Sequence, residues 1–314
     1  MGWTPSVARH GSWHWQLPTR GQRHVVKALA LFQLRPPDGE LVVSYGGGVN
    51  TVATLVVMQR AGIVPRAITM AHPGSEWKAT DDYRENVMRP WCRSVGFPEP
   101  IVLTRMAEGD GRPRTWRLET LYDECIRIKS IPSIAYGYKK CSAKYKAEPQ
   151  RWWLERQPWA QEAWAAGRKV VKVVGYDIDE GRRVRKAATA TDWKPDAEAA
   201  HIDYWYPLFE AGMDRQDCMD AIAEAGLPPA HKSACTFCPS NSEEEWLELR
   251  EREPERFAQA VTMSRQAEID KPDIVGLMRC YPHGKRQLHV WADNGCPRGG
   301  ARDVTDEVPC ECAT

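Results

Sequence analysis

The chain of 314 residues lacks a charge excess of either sign: 43 Lys and Arg stand against 42 Asp and Glu, a net charge of +1. That excludes a global electrostatic pull toward nucleic acid or an anionic membrane and leaves only local patches. It also lacks any apolar run of the roughly eighteen residues a spanning helix needs, and Met1 to Arg20 has no apolar signal-peptide core. A cytoplasmic location away from membranes is therefore expected. Internal repeats are missing too. Cysteine, by contrast, is abundant at ten residues, and in a reducing compartment this points to metal or redox chemistry and away from a disulfide framework. Fourteen tryptophans are scattered along the chain and read as packing residues. The length leaves room for one large domain, or for a domain with an appendage.

The most telling stretch runs Leu41-Val42-Val43-Ser44-Tyr45-Gly46-Gly47-Gly48-Val49-Asn50-Thr51, then continues apolar to Met58. A β-branched run enters three glycines and leaves into a helix-length apolar segment, which predicts a strand, a tight turn and a helix N-terminus. Converging backbone N–H groups and the positive end of a helix dipole suit a phosphate. The loop is not the nucleoside-triphosphatase type, because no Gly-Lys-Ser/Thr follows, and it lacks the spacing of the dinucleotide fingerprint.

Further strands are predicted at 66–71, 100–104 and 170–175. Helices are predicted at 50–61, 78–95 (with Pro90 as a break), 116–130 and 143–157, and one more over 25–32. Strands alternating with helices indicate βαβ units around a parallel sheet, whose ligands sit beyond the carboxyl ends of the strands. Arg182, Arg183, Arg185 and Lys186 form a basic stretch that reads as a loop, with Arg182, Arg183 and Lys186 facing the nucleotide or an anionic substrate. Asp214 caps a helix ending near Gly226, and Ser242 with Glu245 has capping-box spacing. The tail from Asp270, rich in Pro, Gly and Cys, shows little helical periodicity. The expected division is an N-terminal arm (1–40), a nucleotide-binding α/β domain (41–210) and a helical, cysteine-rich C-terminal region (211–314).

Cys235-Thr236-Phe237-Cys238-Pro239 is the sharpest metal signal, two thiols two residues apart on a turn stiffened by proline. Spacing alone leaves a zinc knuckle, a redox dithiol and a metal-free pair equally open. Cys141, Cys280, Cys296, Cys310, Cys312, His283 and His289 are the remaining candidate donors.

Five segments, in order, resemble the phosphoadenosine phosphosulfate (PAPS) reductase family of the adenine nucleotide alpha-hydrolase, or PP-loop ATP pyrophosphatase, superfamily. Gly46-Gly47-Gly48-Val49-Asn50-Thr51 stands where that family has SGGxDS, and Ala71-His72-Pro73-Gly74-Ser75-Glu76-Trp77 where it has ADTGxE. Lys140-Cys141-Ser142-Ala143-Lys144 through Pro149 looks like its cysteine–lysine–proline segment, and Val174-Gly175-Tyr176 through Arg183 parallels its G-x-R-x-x-E-S-x-x-R segment. Tyr206-Pro207-Leu208 and Lys232 through Pro239 resemble its PL strand and terminal CxxCP element. Departures are Gly46 for the first serine, Asn50 for the loop aspartate, His72 for the ADTG aspartate, and Tyr176 or its neighbour for the arginine.

The resemblance implies a Rossmann-like (HUP-type) α/β fold, a parallel sheet flanked by helices with a smaller irregular cysteine-bearing C-terminal region. It implies ATP or another adenine nucleotide held with Mg²⁺ by Ser44, Gly46, Gly47, Gly48, Asn50, Thr51, His72, Gly175 and Arg182. Catalytic roles fall to Asn50, Lys144, Arg183 and Cys312. Cys141, Cys235 and Cys238, with Cys280 as a fourth, would hold a 4Fe–4S cluster, with zinc as the alternative. The implied reaction is ATP-dependent, pyrophosphate-releasing sulfur transfer. Two rivals stand beside it: reduction of PAPS by the thiol of Cys312, next to Glu311, and a non-catalytic nucleotide-binding accessory role. A sulfur-donor protein or thioredoxin-like reductant, a nucleic-acid substrate and a homodimer are the partners such a reading allows.

Overall fold

The computed structural model describes residues 34–108, 116–132, 134–135, 138–189, 200–274, 276–278 and 287–298. The predicted helix over 25–32 and Cys280, His283, Cys310 and Cys312 lie outside them. Five strands form one wholly parallel sheet: β1 (Glu40–Ser44), β2 (Ala67–Ala71), β3 (Pro100–Leu103), β4 (Val170–Val173) and β5 (Ile202–Trp205). Their spatial order is β3-β2-β1-β4-β5. The order reverses between β1 and β4, so the crevice beyond the carboxyl ends of these two strands is the place for a ligand. This is a Rossmann-like α/β fold, as expected.

Both faces of the sheet are covered, which is why its strands read as continuous apolar runs. Side chains still alternate in direction. Leu41, Val43, Ile68, Met70, Val171 and Val173 join one core with α1 (Val49–Arg60). Val42, Ala67, Val170 and Ile202 join the other with Leu154 and Ala160. A third apolar cluster, Trp77, Leu121, Phe237, Trp246, Phe257 and Trp291 among others, joins residues between β2 and β4 to the helices after the sheet and contains Cys125, Cys235, Cys238 and Cys296.

The segment after β2 is helical from α2 (Lys78–Tyr83) through a π-helical turn (Arg84–Met88) into α3 (Arg89–Ser94). Pro90 therefore does not end it. The proline sits just after the widened turn, where its missing N–H and its ring are accommodated. Pro149 stands in the same relation to a second π-helical turn, Ala143–Ala147, at the head of its own helix.

Four expectations need correction. Residues 116–130 are not one helix: Trp116–Leu118 pair antiparallel with Met106–Glu108, and α4 (Leu121–Arg127) starts only at the Thr120–Asp123 capping box. Ile202–Trp205 is a fifth strand, while Pro207 opens a short helix to Glu210, so the segment likened to a PL strand begins where the strand has ended. After α5 (Glu148–Glu155), Pro158 begins a further helix, α6 (Pro158–Ala165). The basic stretch is helical as well: the Asp177 carboxylate accepts the Glu180 N–H at 3.1 Å, capping a 3₁₀ turn that runs into α7 (Gly181–Thr189). The capping boxes at Asp214 and Ser242 are present as expected and open α8 (Arg215–Glu224) and α9 (Glu243–Arg252). α10 (Pro254–Asp270) and α11 (Leu288–Asp293) follow, the last placing a helix in the tail. Among the described residues no helix is long and apolar enough to cross a membrane.

Candidate functional site

The glycine loop lies between β1 and α1, at the switch point of the sheet. Gly47 adopts φ +81°, a conformation that disfavours any side chain, and a Cβ there would come within 2.6 Å of the Thr80 methyl on α2. Gly48 is the N-cap of α1 and offers no side-chain cap, so the helix presents its first N–H groups to whatever enters the loop. The Thr51 hydroxyl is used locally, donating to Gly48 O at 3.0 Å. Ser44 is turned away: its hydroxyl donates to Gln150 Oε1 at 2.9 Å, which also accepts from Thr69 at 3.2 Å.

At the end of β4, Gly175 is pressed against α1. A Cβ on it would meet Thr54 Oγ1 at 2.8 Å and Asn50 O at 2.9 Å, so glycine lets strand and helix close at the switch point. Beyond it sits a polar knot. Asn50 Nδ2 donates to Asp177 Oδ2 and to Glu180 Oε2, both at 2.9 Å, while Asn50 Oδ1 accepts from Arg215 at 2.9 Å. The side chain expected on phosphate is thus engaged at both ends. Arg183 pairs with Glu180 and lies 5.6 Å over the ring of Tyr176. Among the described residues its buried Nη2 has no hydrogen-bond partner. Burial pushes the Glu180 carboxyl above its ordinary value; Arg183 opposes this and Asp177 adds to it. Arg182 and Arg185 are exposed.

His72 leaves β2 and is held on both ring nitrogens. Nδ1 accepts the Gly74 N–H at 3.0 Å, which fixes the Nε2–H tautomer toward Asp81 at 3.2 Å. Burial alone would raise the Asp81 carboxyl, but the hydrogen bond from His72, together with the Arg84 guanidinium, holds it below its usual range. Lys144 points elsewhere: it pairs with Glu124 and lies 5.9 Å over Tyr145.

Cys141, Cys235 and Cys238 line one pocket. With Pro73, Leu121, Pro132, Ser142, Lys146 and Pro239 they surround a small pocket partly open to solvent. An antiparallel bridge between Glu76 and Cys235, with Thr236 N donating to Ser75 O at 2.8 Å, ties the CxxCP turn to the segment after β2. Lys146 Nζ lies 3.3 Å from Glu76 Oε1, both side chains being largely buried. Glu76 Oε2, Ser75 Oγ and Thr236 Oγ1 are buried with no hydrogen-bond partner among the described residues. Unsatisfied polar atoms beside a pocket are what a bound polar group or water would complete. Three further cysteines are core residues: burial pushes the thiols of Cys92 and Cys125 up to about 12 and raises Cys218 further. Cys296 is buried at φ +59°, away from the pocket lining.

Lys146, Glu76 and Ser233 were not singled out as site residues in the sequence. Lys146 follows Ser142 by four residues, a spacing that puts both on one helical face. Ser233 gives no local signal, because its role depends on a fold-back: its hydroxyl donates to Gly46 O, with its Cβ against Gly48.

No protein-family model matches the chain, and no curated protein matches it in sequence. Solved structures do. The U34-tRNA thiolase NcsA from Methanococcus maripaludis with its [4Fe-4S] cluster is similar at 12% identity and a TM-score of 0.41, over 82% of this chain and 84% of that one. The PAPS reductase from Candida auris, in a phosphate complex, is similar at 11% identity and a TM-score of 0.34, over 68% of this chain and 91% of that one. Both likenesses are loose, and neither decides what this chain binds.

Proposed function

We propose that this chain is an adenine-nucleotide enzyme of the PP-loop type that uses ATP to activate a substrate for sulfur transfer. One observation carries the reading: a single segment serves both halves of the site. Ser233 closes on the glycine loop, and two residues later Cys235 enters the thiol pocket. A nucleotide on the loop and a sulfur species in the pocket would therefore be neighbours along one stretch of backbone.

The N–H groups at the start of α1 and the glycine loop would hold the phosphates, with Arg183 offering its unpaired Nη2 to an oxygen. A substrate oxygen attacks the α-phosphorus, and the bond to pyrophosphate breaks. A sulfur anion then attacks the activated carbon, a C–S bond forms, and AMP leaves with the oxygen. Lys146 places a cation in the pocket where such an anion must stand.

The pocket also suits a 4Fe–4S cluster, held by Cys141, Cys235 and Cys238. The donors are soft thiols, and among the described residues Glu76 Oε2, Ser75 Oγ and Thr236 Oγ1 in the adjoining segments lack hydrogen-bond partners. Among the described residues no three His, Cys, Asp or Glu side chains converge on a single point as donors of one ion do. A cluster takes its thiolates on separate irons and three suffice to hold it, whereas a closed zinc site needs four donors on one ion. Bound there by three thiolates, it would supply an iron with an open position for sulfide.

The test is pyrophosphate release from ATP in the presence of candidate acceptors, with Gly47→Ala as control. ATP-dependent release that the variant loses supports the reading. No ATP binding, or sulfite release from PAPS with a dithiol reductant, would replace it.

A further inference from the structure

We propose that Asn50 is a positioning residue whose carboxamide takes the place of a cation between Asp177 and Glu180, so the loop meets its anion without a metal ion held at this point. The inference rests on the loop being the phosphate site, and its test is separable from that reading.

The geometry determines what residue 50 can be. Its nitrogen faces two carboxylate oxygens at once, at 2.9 Å each, and only a double donor or a cation satisfies both. The opposite oxygen faces the Arg215 guanidinium, which fixes the orientation of the amide. Charge in the knot is balanced by two carboxylates, Asp177 and Glu180, and two guanidiniums, Arg183 and Arg215. An aspartate at 50 would place three carboxylates together, one charge in excess, with one of its oxygens facing both of the others at hydrogen-bond distance and no proton donor between. Asp177 is 3% exposed, so water cannot relieve the repulsion. A divalent cation could. Asparagine keeps α1 docked to the end of β4 without one, and leaves phosphate contact to backbone N–H groups.

The experiment is thermal unfolding of the nucleotide-free protein in millimolar MgCl₂ or MnCl₂, against NaCl at equal ionic strength. Wild type should show no divalent-specific shift. Asn50→Asp should melt lower in a chelator and recover part of the loss with Mg²⁺ or Mn²⁺, a response that a merely structural defect would not give. Where Asn50→Asp does not fold in chelator, the double variant Asn50→Asp with Glu180→Gln, which restores the charge balance and a donor, should fold and show no metal response. A saturable Mn²⁺ shift in wild type, an Asn50→Asp protein indifferent to divalent cations, or a double variant that fails to fold would each overturn the proposal. None of these readouts involves nucleotide. Loss of ATP binding in Gly47→Ala tests the loop independently.

Discussion

Replacing Gly47 by alanine perturbs the loop in two ways whose sizes can be set apart. The residue stands at φ +81°, where a Cβ costs about 1–2 kcal/mol. That Cβ would also lie 2.6 Å from the methyl of Thr80, a fully buried β-branched side chain that has little freedom to turn aside. Overpacking of this kind costs about 1–3 kcal/mol. Stiffening of the unfolded chain returns roughly 0.5 kcal/mol, so the variant should lose about 2–4 kcal/mol in chemical denaturation. Adding Thr80→Ser removes the methyl in contact and should restore the packing part, roughly half, while the conformational part persists. Nucleotide affinity follows the conformational part, because the N–H groups that face a phosphate are re-aimed. Calorimetry with ATP should show at least a tenfold loss, about 1.4 kcal/mol, in both the single and the double variant. A Gly47→Ala protein as stable as wild type, or a double variant with no relief, would refute the packing argument. Undiminished ATP affinity would remove the loop from the binding site.

Three other perturbations have defined outcomes. Glu119, with a side chain 1% exposed, accepts from Arg127 at 2.8 Å and faces Arg105 at 3.4 Å; Glu119→Ala should cost about 2 kcal/mol in a urea titration, because the largely buried Arg105 then keeps only Glu148, at 3.4 Å, as a counter-charge. The Asp81 carboxyl is held below its ordinary 3.8, so it contributes stability above its unfolded pKa that is lost as pH falls through the lower folded value. Asp81→Asn should therefore flatten the acid limb of a stability–pH curve below about pH 4, and an unchanged limb would show that His72 and Arg84 do not hold it. Arg183→Lys keeps the charge but loses the planar contact with Tyr176 and the fork toward Glu180; ATP should bind at least about threefold more weakly, and equal affinity would reduce Arg183 to a structural ion pair.

The sheet was legible because buried parallel strands leave continuous β-branched runs. Leu41 to Val43 and Val170 to Val174 have no other reading once Gly46 to Gly48 and Gly175 punctuate them. Ile202–Trp205 was hidden because an edge strand alternates Ile, Asp, Tyr and Trp and gives no such run. The thiol pocket was legible at its cysteines. Cys141, Cys235 and Cys238 come from distant parts of the chain, and the structure brings all three to one lining. What surrounds them was not, because Lys146, Glu76 and Ser233 owe their places to tertiary contacts. The polar knot at Asn50 was missed for a different reason. Asp177 and Glu180 look like solvent-facing charges in sequence, and only the close approach of β4 to α1, which Gly175 allows, turns them onto the loop helix.

The proposed sulfur-handling centre beside the nucleotide loop is tested most directly by iron analysis of protein purified without oxygen. The expected preparation is brown, with roughly four irons per chain and broad absorbance near about 400 nm. Cys141→Ala, Cys235→Ala and Cys238→Ala should each lose most of the iron while keeping ATP affinity. Colourless protein carrying one zinc per chain, or a Cys141→Ala protein with its full iron content, would contradict the account.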